Sequence, residues 1–125
     1  MERKEFYKQL KSFLKELVVV FPEDDDDLQI VTTSINLAII DDDTNQIIVK
    51  FYNALLPVQQ LISDRDKNIF EKISWDFSSY EHKLFTKLKT QWENFTDNNK
   101  KVIWDYIQIL YLLSEQFIFT LRTIV

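Results

Sequence analysis

Glycine and cysteine are absent from this 125-residue chain, histidine occurs once, as His82, and proline twice, as Pro22 and Pro57. Phosphate-cradling loops and dinucleotide-binding turns need glycine where the backbone approaches the ligand or takes positive φ. Both are excluded, together with the nucleophile elbow and the standard EF-hand loop. Without cysteine there is no zinc finger or ribbon, no thiol nucleophile and no disulfide framework. A single histidine cannot complete an H-E-x-x-H zinc site. Only carboxylate chemistry stays open, as an all-carboxylate magnesium site or an acid–base pair. The expectation is a protein that is not an enzyme and has no cofactor and no metal.

Hydrophobic residues make up 46% of the chain and charged residues 28%, a globular balance that predicts one helical domain over residues 1–125. Helical spacing dominates. Phe6, Leu10, Phe13, Leu14, Leu17 and Phe21 recur at intervals of three and four, and Pro22 should end that helix. From Asp26 to Ile40, Leu28, Val31, Ile35, Ala38 and Ile39 share a helical face, although Val31-Thr32-Thr33 also suits a strand. Asp43 or Thr44 is placed to cap a third helix carrying Ile47, Ile48, Phe51, Leu55, Val58, Leu61 and Ile62, which Pro57 should kink or divide near Leu55. Ser63 resembles the cap of a short helix with Ile69, Phe70 and Ile73. Ser78-Ser79-Tyr80-Glu81 fits a capping box before Leu84, Phe85, Leu88 and Trp92.

Thr96 or Asp97 opens the last helix, which is apolar almost all round from Ile103 onward and is expected at the centre of the core. The fold class is therefore all-α: a compact bundle of about five or six helices with a hydrophobic C-terminal core helix. Met1-Glu2-Arg3-Lys4-Glu5 runs directly into an amphipathic segment and predicts no secretory signal. The apolar stretch towards Val125 is interrupted by Asp105, Glu115, Gln116 and Arg122 and predicts no membrane span. A soluble, intracellular protein is the expectation.

The net charge of −5 is unevenly distributed. Residues 1–20 hold five basic and three acidic side chains, residues 21–66 two and ten, and residues 67–125 eight and seven, giving +2, −8 and +1. The acidic excess sits largely in Glu23, Asp24, Asp25, Asp26 and Asp27 and in Asp41, Asp42 and Asp43. Both runs precede helices, where the helix dipole favours negative charge; a patch for a basic partner is the functional alternative. Their spacing lacks the D-x-D-x-D-G order of a calcium loop. Lys4, Lys8, Lys11 and Lys15, at intervals of four, three and four, form one stripe on the first helix. A solvated face opposite the apolar one explains it, and so does contact with nucleic-acid phosphates, anionic lipid or an acidic protein. His82, beside Tyr80 and Glu81, reads as a helix-surface residue. Trp75, Trp92 and Trp104 read as core packing rather than a stacking platform.

The run Asn99-Lys100-Lys101-Val102-Ile103-Trp104-Asp105-Tyr106-Ile107-Gln108-Ile109-Leu110-Tyr111-Leu112-Leu113-Ser114 resembles the end of small uncharacterised helical proteins of nucleocytoplasmic large DNA viruses. Phe51-Tyr52 through Leu55 and Pro57, and Arg65-Asp66, are similar to their middle section. The resemblance implies a virus-encoded protein of the host cytoplasm or the virion, and carries no catalytic or binding residue with it.

The functional expectation is a non-enzymatic interaction or assembly subunit, whose partner is another protein or a second copy of itself. Its candidate surface is Lys4, Lys8, Lys11 and Lys15 together with Asp24 to Asp27 and Asp41 to Asp43. The alternatives are a nucleic-acid or anionic-surface accessory factor using the lysine stripe, and a modulator of a host pathway that takes amphipathic helices in a groove.

Overall fold

The apolar repeat of the first segment closes into helix α1, Glu2–Val20. Its inward face, Phe6, Leu10, Phe13, Leu14 and Leu17, is at most 6% exposed, and the Phe21 backbone N–H closes it with a hydrogen bond to the Leu17 carbonyl at 3.0 Å. The computed structural model describes residues 2–21, 26–40, 42, 45–73 and 80–124. Pro22, Asp43, Thr44, Trp75 and the Ser78-Ser79 half of the anticipated capping box lie outside them.

Helix α2 runs over Asp26–Ile40, so burial overrides the β-propensity of Val31-Thr32-Thr33. Leu28, Val31, Ile35 and Ile39 turn inward. Thr32 is buried with them because its hydroxyl bonds back to the Gln29 carbonyl at 3.2 Å, an outlet that satisfies the polar group inside a helix. Ala38, expected on this face, is exposed at its margin.

Helix α3, Gln46–Leu55, passes through a 3-10 turn at Leu56–Val58 into α4, Gln59–Ser63. Pro57 explains the break, since it lacks an amide hydrogen and its ring displaces the preceding turn. Three further helices follow: α5, Ile69–Lys72; α6, Tyr80–Gln91, with a 3-10 turn at Trp92–Asn94; and α7, Asp97–Ile124. With α3 and α4 taken as the arms of one divided helix, the bundle has six, and no strand occurs among the described residues. Thr96 opens α7 by accepting the Asn99 amide on its hydroxyl oxygen at 3.1 Å, the N-cap bond that satisfies an otherwise orphaned donor.

Helix α7 packs along α1 and also meets α3 and α4, while α2 lies on α6 and touches α1. One continuous cluster of buried side chains joins the seven helices among the described residues. Aromatic contacts fasten its ends: Phe13 stacks on Tyr106 at 5.2 Å, Phe21 meets Phe95 edge-on at 5.3 Å, and Trp92 lies across Trp104 at 6.0 Å. Trp92 and Trp104 are thus core residues. Ile103, Ile107 and Leu110 of α7 are at most 1% exposed, but Leu112, Phe119 and Leu121 are 41–50% exposed. Partners pack on one side of this helix, so its apolar circumference is covered only in part. No helix among the described residues is long and apolar enough to cross a membrane.

Ser63 closes α4 instead of opening α5. The chain turns through Arg65 in the left-handed region, φ 52°. The Arg65 amide reaches the Ile62 carbonyl at 3.2 Å and the Asp66 amide the Leu61 carbonyl at 2.9 Å, the paired bonds of a Schellman ending in which glycine usually holds the left-handed position. Asp66 then starts α5, its carboxylate accepting the Asn68 amide at 2.9 Å and its carbonyl the Ile69 amide at 3.0 Å. A side chain in this conformation costs about 1–2 kcal/mol. Here the side chain is retained because its guanidinium bonds Asp105 at 2.6 Å and Gln108 at 2.7 Å on α7. Gln108 in turn donates to the Ile62 carbonyl at 3.0 Å.

Arg65→Ala and Arg65→Gly both remove this staple, but only alanine keeps a Cβ in the left-handed turn. The glycine variant should be the more stable of the two by about 0.5–1 kcal/mol, the left-handed penalty less the greater unfolded-state freedom of glycine. Urea denaturation midpoints decide it, and an alanine variant equal to or better than glycine contradicts the account.

Candidate interaction surface

Asp42, one of the acidic residues expected at the surface, is 8% exposed. Its carboxylate accepts the Gln46 amide at 2.9 Å and the Ile47 amide at 3.1 Å, so it caps α3 from four and five residues upstream. Tyr7 of α1 donates its hydroxyl to the same carboxylate. Arg3 donates to the Asp42 carbonyl at 2.7 Å and to the Asn45 side chain, with its guanidinium 4.9 Å from the centre of the Tyr7 ring. Asn45, at φ 61°, takes the left-handed position that asparagine tolerates better than most residues.

Burial by itself would raise the Asp42 carboxyl. The Tyr7 hydroxyl, the Ile47 and Gln46 amides and the Arg3 charge outweigh it and hold the group below the usual carboxylate range. Tyr7 moves well above an ordinary phenol, first through burial and then through its bond to Asp42 and the nearby negative charge.

Asp24, Asp25, Asp41 and Asp43 lie outside the described residues. Asp26 and Asp27 form the first turn of α2. The acidic positions described therefore sit at helix starts.

Lys4, Lys8, Lys11 and Lys15 are all exposed along one edge of α1. None forms a salt bridge with another described residue. At the other end of the bundle basic side chains are paired: Arg65 and Lys101 with Asp105, Lys67 and Lys100 with Glu93, and Lys89 with Glu71. Three of the four stripe lysines, Lys4, Lys8 and Lys11, line an open groove of about 1030 Å³ between α1 and the end of α2. Tyr7 and Ile39 form part of its wall, and Ile40, also lining it, is 70% exposed. Arg3 contributes from its fixed position on Asp42, and Glu5, which accepts the Gln9 amide at 2.9 Å, is the acidic member of the lining.

A second surface was not anticipated. Ile30 and Leu37 of α2 are 60% and 59% exposed and lie two turns apart, opposite the buried Leu28, Val31, Ile35 and Ile39. Thr33 and Ser34 lie between them, completing the i, i+3, i+4, i+7 spacing of one helical face. The signal in the sequence was the presence of large apolar residues outside the buried stripe. His82 is half-buried on α6. Among the described residues no group of three or more histidines and carboxylates is placed to hold a metal ion.

Compared with known protein families, curated proteins and solved structures, the chain matches none.

The Asp42 cluster makes stability depend on pH from both sides. A depressed carboxyl contributes stability above about pH 4 that is lost as pH falls, and a raised phenol contributes below about pH 10 stability that is lost as pH rises. Asp42→Ala should lower stability at neutral pH by about 2–4 kcal/mol, combining a lost cap with an unpaired buried hydroxyl. Tyr7→Phe should cost about 1–2 kcal/mol and make both limbs shallower. Part of the alkaline limb remains, since burial also pushes the Tyr111 phenol up to about 12. Denaturation midpoints across the pH range check this; a Tyr7→Phe profile parallel to that of the parent protein contradicts it.

Proposed function

We propose that this chain is a non-enzymatic, all-helical assembly subunit that associates with further copies of itself by helix packing. The observation that carries the reading is the outer face of α2, where Ile30 and Leu37 are 60% and 59% exposed. Their burial would release water from apolar surface, at about 25 cal/mol per Å². The small Thr33 and Ser34 between them let a second helix approach closely. A face whose large residues flank small ones is complementary to itself, as a two-fold interface requires. The lack of glycine and cysteine supports the non-enzymatic reading, because most phosphate, thiol and zinc chemistries need those residues. The similarity of Asn99 to Ser114 to the ends of large DNA virus proteins supports a place in a virus-encoded complex, in the host cytoplasm or the virion.

Light scattering coupled to size-exclusion chromatography tests the reading. The parent protein should run as a dimer or larger, and Ile30→Glu with Leu37→Glu should return it to the 15.1 kDa monomer. Because both positions are exposed, the thermal midpoint should change little. A parent protein that stays monomeric at high micromolar concentration overturns the proposal, as does an oligomer insensitive to both substitutions.

A further inference from the structure

The stripe lysines lack carboxylate partners among the described residues, whereas Arg65, Lys67, Lys89, Lys100 and Lys101 have them. Lys4 to Lys15 extends about 16 Å along α1 at the helical rise, which is three turns of a facing helix. The groove beside them has charge on one wall and apolar surface on the other. At about 1030 Å³ it reaches the upper end of small-ligand cavities, and its open form leaves room for a chain segment. Ile40, 70% exposed, gives such a segment an apolar anchor point. Arg3 is already engaged by Asp42 and Asn45, so the cations available to a ligand are the lysines. We propose that the α1–α2 groove binds an acidic amphipathic helix of a partner protein. Its Asp and Glu residues, three and four apart, meet Lys4, Lys8 and Lys11 in the groove and Lys15 beyond it, and its apolar residues cover Ile40. Glu5 sets the direction, because a carboxylate placed opposite it is repelled.

This occupant fits better than the other polyanions. The net charge of −5 opposes the long-range attraction of a nucleic acid, whose binding domains are usually basic overall. The lysines border a concavity, which a flat lipid surface would not fill. The site adjoins the Ile30–Leu37 face, with Ile40 one turn beyond Leu37 on α2, and the lysine substitutions on α1 tell the two proposals apart.

The test uses the full chain and a fluorescein-labelled synthetic peptide of about five helical turns, with leucine on one face and glutamate flanking it. A second peptide has every glutamate replaced by glutamine. Polarisation titrations should show salt-sensitive binding of the glutamate peptide and at least about tenfold weaker binding of the glutamine peptide, consistent with several partly exposed ion pairs acting together. Lys4→Glu with Lys8→Glu and Lys11→Glu should abolish binding, and Ile40→Ser should weaken it. If the triple reversal fails to fold by circular dichroism, Lys8→Ala with Lys11→Ala serves instead and should weaken binding about fivefold. Equal affinity for both peptides, no binding, or binding unaffected by the lysine changes overturns the proposal. So does tighter, lysine-dependent binding of a DNA oligonucleotide or of phosphatidylserine vesicles. Loss of the Ile30–Leu37 association with the peptide still bound would leave this groove standing alone.

Discussion

The carboxylate of Asp42 is where the two ends of the first half of the chain meet. A carboxylate this buried is tolerable only when its oxygens are satisfied. Here they take the first free amides of α3 and the hydroxyl of Tyr7, a residue 35 positions away. The same group therefore starts a helix and anchors α1 to the corner between α2 and α3. Arg3 completes the junction from the backbone side and packs on the Tyr7 ring. The groove between α1 and α2 depends on this junction, since Arg3, Tyr7 and Ile39 are part of its lining. Its shape is set by a buried polar contact rather than by the aliphatic core alone.

The missing glycine shaped the turns. Among the described residues the left-handed positions are Asn45 and Arg65, and both side chains make contacts distant in sequence. Asn45 accepts a bond from Arg3, and Arg65 binds α7 through Asp105 and Gln108. Glycine would have made each turn easier locally but would have removed the tie to the rest of the bundle. The conformational cost at these two sites is offset by tertiary contacts, so the turns form fully only when the helices they join are packed.

Periodicity made the helices legible. The buried stripes of α1, α3, α6 and much of α2 follow directly from residues three and four apart, and Pro57 and Thr96 act where their chemistry requires. Local signals were weaker guides to which polar residue would cap. Ser63 has the composition of an N-cap, yet it ends α4, and the chain reverses at Arg65 before α5 begins. Asp42 looked like one member of an exposed acidic run, because nothing in Asp41-Asp42-Asp43 identifies the one that Tyr7 and Arg3 will enclose. The exposure of Ile30, Leu37 and Leu112 was equally hidden, since hydrophobicity identifies residues that leave water only after the fold has determined which faces meet.

The charge distribution links these observations. Where α4 to α7 converge, basic side chains lie within reach of Asp105, Glu93 or Glu71, and local pairing neutralises them. Among the described residues of the corner beside the groove, the carboxylate is that of Asp42, and it is turned inward to cap α3. The contact that builds the groove thus also keeps the Asp42 carboxylate away from its rim. A folded chain with an overall charge of −5 thereby keeps a concentrated positive edge beside exposed apolar surface. An ion pair formed there would be screened by salt, but apolar contact at Ile40 would exclude water and strengthen it. Specificity for an acidic helix over a diffuse polyanion then follows from needing both at once.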